Sequence, residues 1–204
     1  MNSKLSTYTP SPEREQVPGI FKTSINGLYF IAHKKHTDDR GFFAEILRIN
    51  ELEGAAHIDF RIKQVNHARS EKNVVRGIHA EDWNKLVFVS AGLAFCAICD
   101  VRPDSATFGK KEYFFMGVHQ EALDGSLYVP AGLGNSVCIL EGPVDYIYCV
   151  DRLYKERDPA GDVAISLFDP DLAVEWPLFK EDMIISERDK NSITLREKYP
   201  EKFK

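Results

Sequence analysis

The sequence predicts a mainly β fold, an antiparallel barrel or jelly roll with a short, partly helical C-terminal segment. Apolar runs of four to eight residues, rich in Val, Ile, Phe and Tyr, recur from residue 20 onward, separated by Gly, Asn, Asp and Pro. That is the pattern of short strands joined by turns. Helical periodicity is scarce until the last forty residues, so the strands have no helical layer alternating with them. A chain of 204 residues, 44% hydrophobic and 28% charged, suits one globular domain with a sizeable core.

In chain order, residues 1–19, "MNSKLSTYTPSPEREQVPG", are polar and Pro-rich and read as a flexible arm with no apolar signal region. A single domain is expected over 20–204. Its strand candidates are "GLYFIAH", "FFAEILRI", "FRIKQVNHA", "NVVRGIH", "KLVFVSAGLAFCAICDV", "EYFFMGV", "SLYVPAG", "SVCILEG" and "DYIYCVDRLY". Within the longest of these, "VSAGLA" reads as a hairpin turn. Near the end, "PDLAVEWP" and "FKEDMII" allow short helices. Closing such a sheet leaves a mouth where inward side chains from distant parts of the chain converge on a ligand.

Charge and composition narrow the function. The net charge is −5 with the basic residues scattered, which offers no footprint for nucleic acid or an anionic membrane. The most apolar uncharged run, residues 86–99, is 14 residues long, short of the roughly 20 that a spanning helix needs. Cys96 and Cys99 form a C-x-x-C, but in an extended strand residues three apart point to opposite faces. With Cys138 and Cys149 they are expected to pack as core thiols in a reducing cytoplasm.

The candidates for chemistry are few. His79 ends an apolar run after a glycine, and a histidine titrates where proton transfer near neutral pH needs it. On its own it reads as a structural residue sooner than as a base, with His33, His36, His57, His67 and His119 as competitors. The sequence His79-Ala80-Glu81 has no His-x-His partner, and Asn135 stands where a later barrel histidine would sit. No metal is therefore expected. Gly-x-Ser-x-Gly, Gly-x-Gly-x-x-Gly and Gly-Lys-Ser/Thr are also missing. Acid/base chemistry without a cofactor is what these exclusions leave.

Eight stretches, in this order, carry a resemblance: "DDRGFFAEI" (38–46), "QVNHARSEKNVVRGIH" (64–79), "KLV" (85–87), "DVRPDSATFGK" (100–110), "LYVPAGLGNSVCIL" (127–140), "YIYCVDRLY" (146–154), "DPDLAVEWP" (169–177) and "ISERDK" (185–190). Together they resemble the dTDP-4-dehydrorhamnose 3,5-epimerase family, whose members are cupin-type barrels acting on nucleotide-linked 4-keto-6-deoxy sugars. The resemblance implies a cupin-type jelly roll and epimerisation at C3, C5 or both. It also implies a nucleotide-diphosphate sugar as partner, dTDP-linked, and a homodimer with an exchanged N-terminal strand.

By position, the resemblance implies that His79 is the catalytic base, Asp189 the carboxylate paired with it, Tyr148 the acid from the opposite sugar face and Lys85 the cation at the keto oxygen. Arg40 and Arg76 match its diphosphate-binding arginines. Phe43, Glu45, Gln64, Asn66 and Tyr154 match residues around its nucleotide and sugar. The types suit the chemistry, since a C4 ketone acidifies the protons on C3 and C5 and the enolate oxygen wants a cation beside it. A phenol with an ordinary value of about 10 would need lowering to cycle readily. Strict alternation would send Arg76 and His79 to opposite faces unless Gly77 hosts a bulge, and for Arg40 beside Asp38 and Asp39 a surface ion pair is the alternative.

The chain departs from the family where Ala80 and Glu81 replace an aromatic and a glutamine, where Asn135 replaces a histidine, and where Trp83 is added before Lys85. Glu81 and Asn135 are therefore expected at the substrate. A single-centre epimerase, a sugar-nucleotide-binding barrel without turnover and a metal-dependent cupin are the alternatives.

Overall fold

A computed structural model of the chain describes residues 5–203, apart from 157, 159 and 160. Its strands are β1 (Glu15–Val17), β2 (Ile20–Lys22), β3 (Tyr29–Ala32), β4 (Lys34–Asp38), β5 (Gly41–Glu45), β6 (Gln64–Ser70), β7 (Val74–Ala80), β8 (Lys85–Asp100), β9 (Lys111–Gly117), β10 (Gly125–Val129), β11 (Leu133–Val150), β12 (Val163–Ala164) and β13 (Ile184–Ile185). Its helices are α1 (Ile49–Ala56), α2 (Glu187–Lys190) and α3 (Leu195–Lys198). The main sheet runs β1-β2-β3-β10-β8-β11-β7-β12, with β6, β9 and β13 added beside that path. It stays open and doubles over as a sandwich rather than closing.

Two long strands make the fold double over. β8 pairs with β10 through Lys85–Phe88 and with β9 through Leu93–Cys99. β11 pairs with β7 along its first half and with β6 along its second. "VSAGLA" is therefore not a hairpin turn. β8 runs through it unbroken, and Gly92, at φ 79° with a backbone carbonyl 2.6 Å from where a Cβ would stand, lets the strand pass from one layer to the other.

Three apolar clusters explain why β8 is apolar on both faces. Ala94, Cys96 and Ile98 face the space between the layers with Phe30, Phe114 and Leu127. Phe95, Ala97 and Cys99 face outward, beneath Leu167, Leu172 and Leu195 of the C-terminal segment. The C-x-x-C sulfurs thus lie in different clusters, and all four cysteines are free thiols. On the other outer face, Leu52 and Ala55 of α1 cover Tyr29, Leu86 and Tyr128. Strands covered on both faces read as continuous apolar runs instead of alternating ones.

Other departures are local. α1 fills the gap between two strand runs, where no helix was expected; it has Arg48 as an uncapped N-terminus and Gly54 inside, which removes the usual start signal. "PDLAVEWP" is turn and extended chain, "FKEDMII" a short 3-10 turn leading into β13, and the helices follow at α2 and α3. Toward the N-terminus, Tyr8 is buried against Phe30 and Phe114, its N–H donating to Tyr113 O at 2.8 Å, and β1 pairs with β2. Among the described residues, no helix is long and apolar enough to cross a membrane.

Candidate active site

A cavity of about 220 Å³ opens at one mouth of the interlayer space. β7 supplies Arg76 and His79, and the loop and strand after it supply Glu81, Trp83 and Lys85. Asn135, Tyr146 and Tyr148 enter from β11 and Ala68 from β6, while Tyr154 and Arg188 close the rim. Residues far apart in sequence meet because β11 pairs with both β6 and β7, placing Tyr148 opposite Asn66 and Asn135 opposite His79.

Gly77 puts Arg76 and His79 on one cavity. Between the pairs Asn135↔His79 and Val137↔Arg76 the register slips, so β7 carries one more residue than β11 over that stretch. Gly77 holds φ 130°, and a Cβ there would stand 2.4 Å from the Ser136 side chain. The bulge undoes strict alternation and turns both side chains to the same opening.

His79 Nε2 lies 2.6 Å from Asp189 Oδ1. The side chain of His79 is 23% exposed and that of Asp189 only 3%, so the carboxylate is an interior group rather than a solvated acid in a charged tail. β13 pairs in parallel with β7, and the next residue, Ser186, caps α2 by accepting from the Asp189 N–H at 3.2 Å. These two contacts aim the carboxylate at the imidazole. Burial pushes the Asp189 carboxyl up, but the hydrogen bond and charge of His79, with Ser186 and the Gly77 N–H, outweigh it and hold the group below its ordinary value. An Nε2–H donating to Asp189 leaves Nδ1 unprotonated, which makes it the basic nitrogen.

The lowered Asp189 value has a consequence for stability. A carboxyl whose value is lower in the folded than in the unfolded chain stabilises the fold fully above about pH 4, and loses that contribution as pH falls through the lowered value. Asp189→Asn is expected to flatten this acid limb, so its urea midpoint should change less than the wild-type midpoint between about pH 5 and about pH 3. Equal falls in the two proteins contradict it.

Lys85 is buried at the start of β8 and pairs with Glu81. Tyr148 is half-buried. Its phenol is raised above the ordinary value by burial first and by the Glu81 charge second, against a smaller pull from Arg76. The lowering that ready cycling would require is thus not present, and the hydroxyl stands in its proton-donating form. Tyr146, expected as core filling, is indeed in the interlayer cluster, yet its hydroxyl reaches the cavity wall 3.2 Å from Asn135 Nδ2.

Other expected residues divide into two groups. Gln64 and Asn66 share the β6 face of Ala68 and are joined by a 2.6 Å hydrogen bond; Gln64 Oε1 also accepts from the Tyr154 N–H at 3.0 Å. They brace the rim. Arg40, Phe43 and Glu45 lie elsewhere, on the separate hairpin of β4 and β5. There Arg40 pairs with Asp38 and Glu45 with Arg48, and neither Arg40, Phe43 nor Glu45 lines the cavity of its own chain.

Sequence reasoning missed Arg188, which lines the cavity and pairs with Asp162 at 2.9 Å. Its adjacency to Asp189 was the available signal. Trp83 is buried against Tyr154, its ring centroid 6.2 Å away. Among the described residues no three His, Cys, Asp or Glu side chains gather as a metal site.

The chain is similar to known proteins in sequence and in fold. The model of the dTDP-4-dehydrorhamnose 3,5-epimerase family matches residues 22–197. The dTDP-4-dehydrorhamnose 3,5-epimerase of Escherichia coli is 31% identical over 185 residues, which are 87% of this chain and 95% of that enzyme. The dTDP-4-dehydro-6-deoxyglucose 3-epimerase of Streptomyces bikiniensis is 31% identical over 84% of this chain and 86% of its own length. The crystal structure of the dTDP-6-deoxy-D-glucose-3,5-epimerase of Legionella pneumophila, in complex with dTDP-4-keto-L-rhamnose, superimposes with a TM-score of 0.77 at 30% identity, covering 87% of this chain and 92% of that one. On its sequence and on its cupin-type fold, the chain belongs to the dTDP-4-dehydrorhamnose 3,5-epimerase family of isomerases.

Proposed function

We propose that the protein epimerises a dTDP-linked 4-keto-6-deoxy sugar at C3, C5 or both, without a cofactor, by proton transfer between His79 and Tyr148. The observation that carries this reading is the 2.6 Å His79–Asp189 pair facing the cavity that Tyr148 and Lys85 also line. His79 Nδ1 takes the proton from the carbon next to the ketone, and the C–H electron pair moves to the carbonyl oxygen as an enolate. Lys85 donates to that oxygen, where preorganised positive charge is worth most. Tyr148 returns a proton to the same carbon from the other face, inverting it. Asp189 holds the imidazole and then the imidazolium. The histidine ends protonated and the tyrosine deprotonated, and exchange with solvent resets both.

Arg76 and Arg188 at the rim suit a diphosphate, which favours guanidinium forks. Arg40, Phe43 and Glu45 join the reading if the protein is a homodimer whose β4–β5 hairpin serves the partner's site. Phe42 and Phe43, 58% and 67% exposed, support such burial between copies. The four free thiols suit a cytoplasmic enzyme. Incubating the protein with dTDP-4-dehydro-6-deoxyglucose, with no added metal or nicotinamide, tests the reading by NMR. Signals of C3- or C5-inverted sugar are expected, and an unchanged spectrum for every nucleotide-linked 4-keto sugar tried contradicts it.

A further inference from the structure

Glu81 is a carboxylate in a cavity whose chemistry, as read above, already has its base, acid and cation. One oxygen, Oε2, accepts from Lys85 Nζ. The other, Oε1, has no hydrogen-bond partner among the described residues, and it is not a sealed interior atom either, since the buried unpartnered atoms are Asp82 Oδ1 and Trp83 Nε1. The position is rigid. The Glu81 carbonyl accepts from the Gly132 N–H at 2.8 Å, and Asn84 ties the same loop to Asp151 at 3.0 and 2.6 Å and to the Ala131 N–H at 3.0 Å. An acceptor-only group held beside a donor, with a free oxygen at the cavity, calls for a ligand that presents an acceptor and a donor side by side.

A ketone with a hydroxyl on the neighbouring carbon has that pattern. We propose that Glu81 and Lys85 act as a two-point reader of an α-hydroxyketone, Lys85 donating to the C4 keto oxygen while Glu81 Oε1 accepts from the C3 hydroxyl. Glu81 is then a specificity-determining residue, and the substrate class narrows to 4-keto sugars that carry a free hydroxyl at C3. This rests on the epimerase reading above. A glutamine in its place could offer an N–H as well as a carbonyl; the carboxylate can only accept, so a 3-deoxy carbon leaves a charged oxygen dehydrated and unpaired, the arrangement that rejects analogues most strongly. Glu81 also lies close enough to Tyr148 for its charge to favour the protonated phenol, as a proton donor requires.

The test compares solvent-deuterium exchange, as kcat/KM, on a dTDP-linked 4-keto sugar and on its 3-deoxy analogue, in the wild type and in Glu81→Ala. Each protein gives a ratio of the two substrates. Comparing the ratios cancels the intrinsic acidity of the substrates and any loss of stability. The wild-type preference for the 3-hydroxy sugar is expected to fall at least about tenfold in Glu81→Ala, the scale of one hydrogen bond to a charged group. A smaller fall overturns the role of Glu81 alone. Absence of wild-type exchange on both sugars overturns the epimerase reading, and this proposal with it.

Discussion

Replacing His79 by asparagine is expected to lower solvent-deuterium incorporation into the sugar by about 10²- to 10⁴-fold, the usual contribution of a positioned general base. The loss should fall on kcat rather than on nucleotide affinity, since His79 acts on the carbon and not on the diphosphate. An asparagine amide can still donate toward Asp189, so the buried carboxylate keeps a partner and the thermal midpoint should move little. Exchange at the wild-type rate in a folded His79→Asn protein contradicts the assignment of the base.

Tyr148→Phe should separate two rates that the wild type keeps together. Proton removal by His79 needs only the base and the cation, so hydrogen exchange at the carbon facing His79 persists, slowed by a modest factor. Inversion needs a donor on the other face, and is expected to fall about 10²-fold or more. Burial and the Glu81 charge keep the phenol protonated, the form that can give a proton, and a substitute donor would have to be another phenol on that wall. Tyr146 is the nearest candidate, its ring 6.2 Å from that of Tyr148, but burial first of all holds its phenol far above the ordinary value, and its hydroxyl lies against Asn135. Equal losses of exchange and inversion contradict the acid role of Tyr148.

Much of the fold was legible because each strand run carries its own apolar signal, whatever packs against it. What stayed hidden depends on tertiary context. β8 looks like two strands and a turn because its switch between layers uses Gly92, and a glycine inside an apolar run reads as a turn from sequence. α1 was hidden by its missing cap and its internal glycine. The burial of Asp189 follows from β13 pairing with β7, a two-residue contact between segments more than a hundred residues apart, and local periodicity carries no trace of it. The candidate site residues were named through the resemblance of their motifs, and Trp83 as a departure from it, whereas Arg188 and the true surroundings of Tyr146 appear only once β6, β7 and β11 lie side by side. Arg40, Phe43 and Glu45 show the converse, motif residues whose own chain keeps them off the cavity.

The central claim is that one base and one acid move a proton on a carbon next to a ketone, and the most direct measurement is the position of deuterium in sugar recovered from deuterated water. The account predicts deuterium at C3, at C5 or at both, never at C1 or C2, with every inverted centre labelled. Inverted sugar that has kept its original hydrogen at the inverted carbon would contradict it, because inversion would then have occurred without exchange of that proton through His79 and Tyr148.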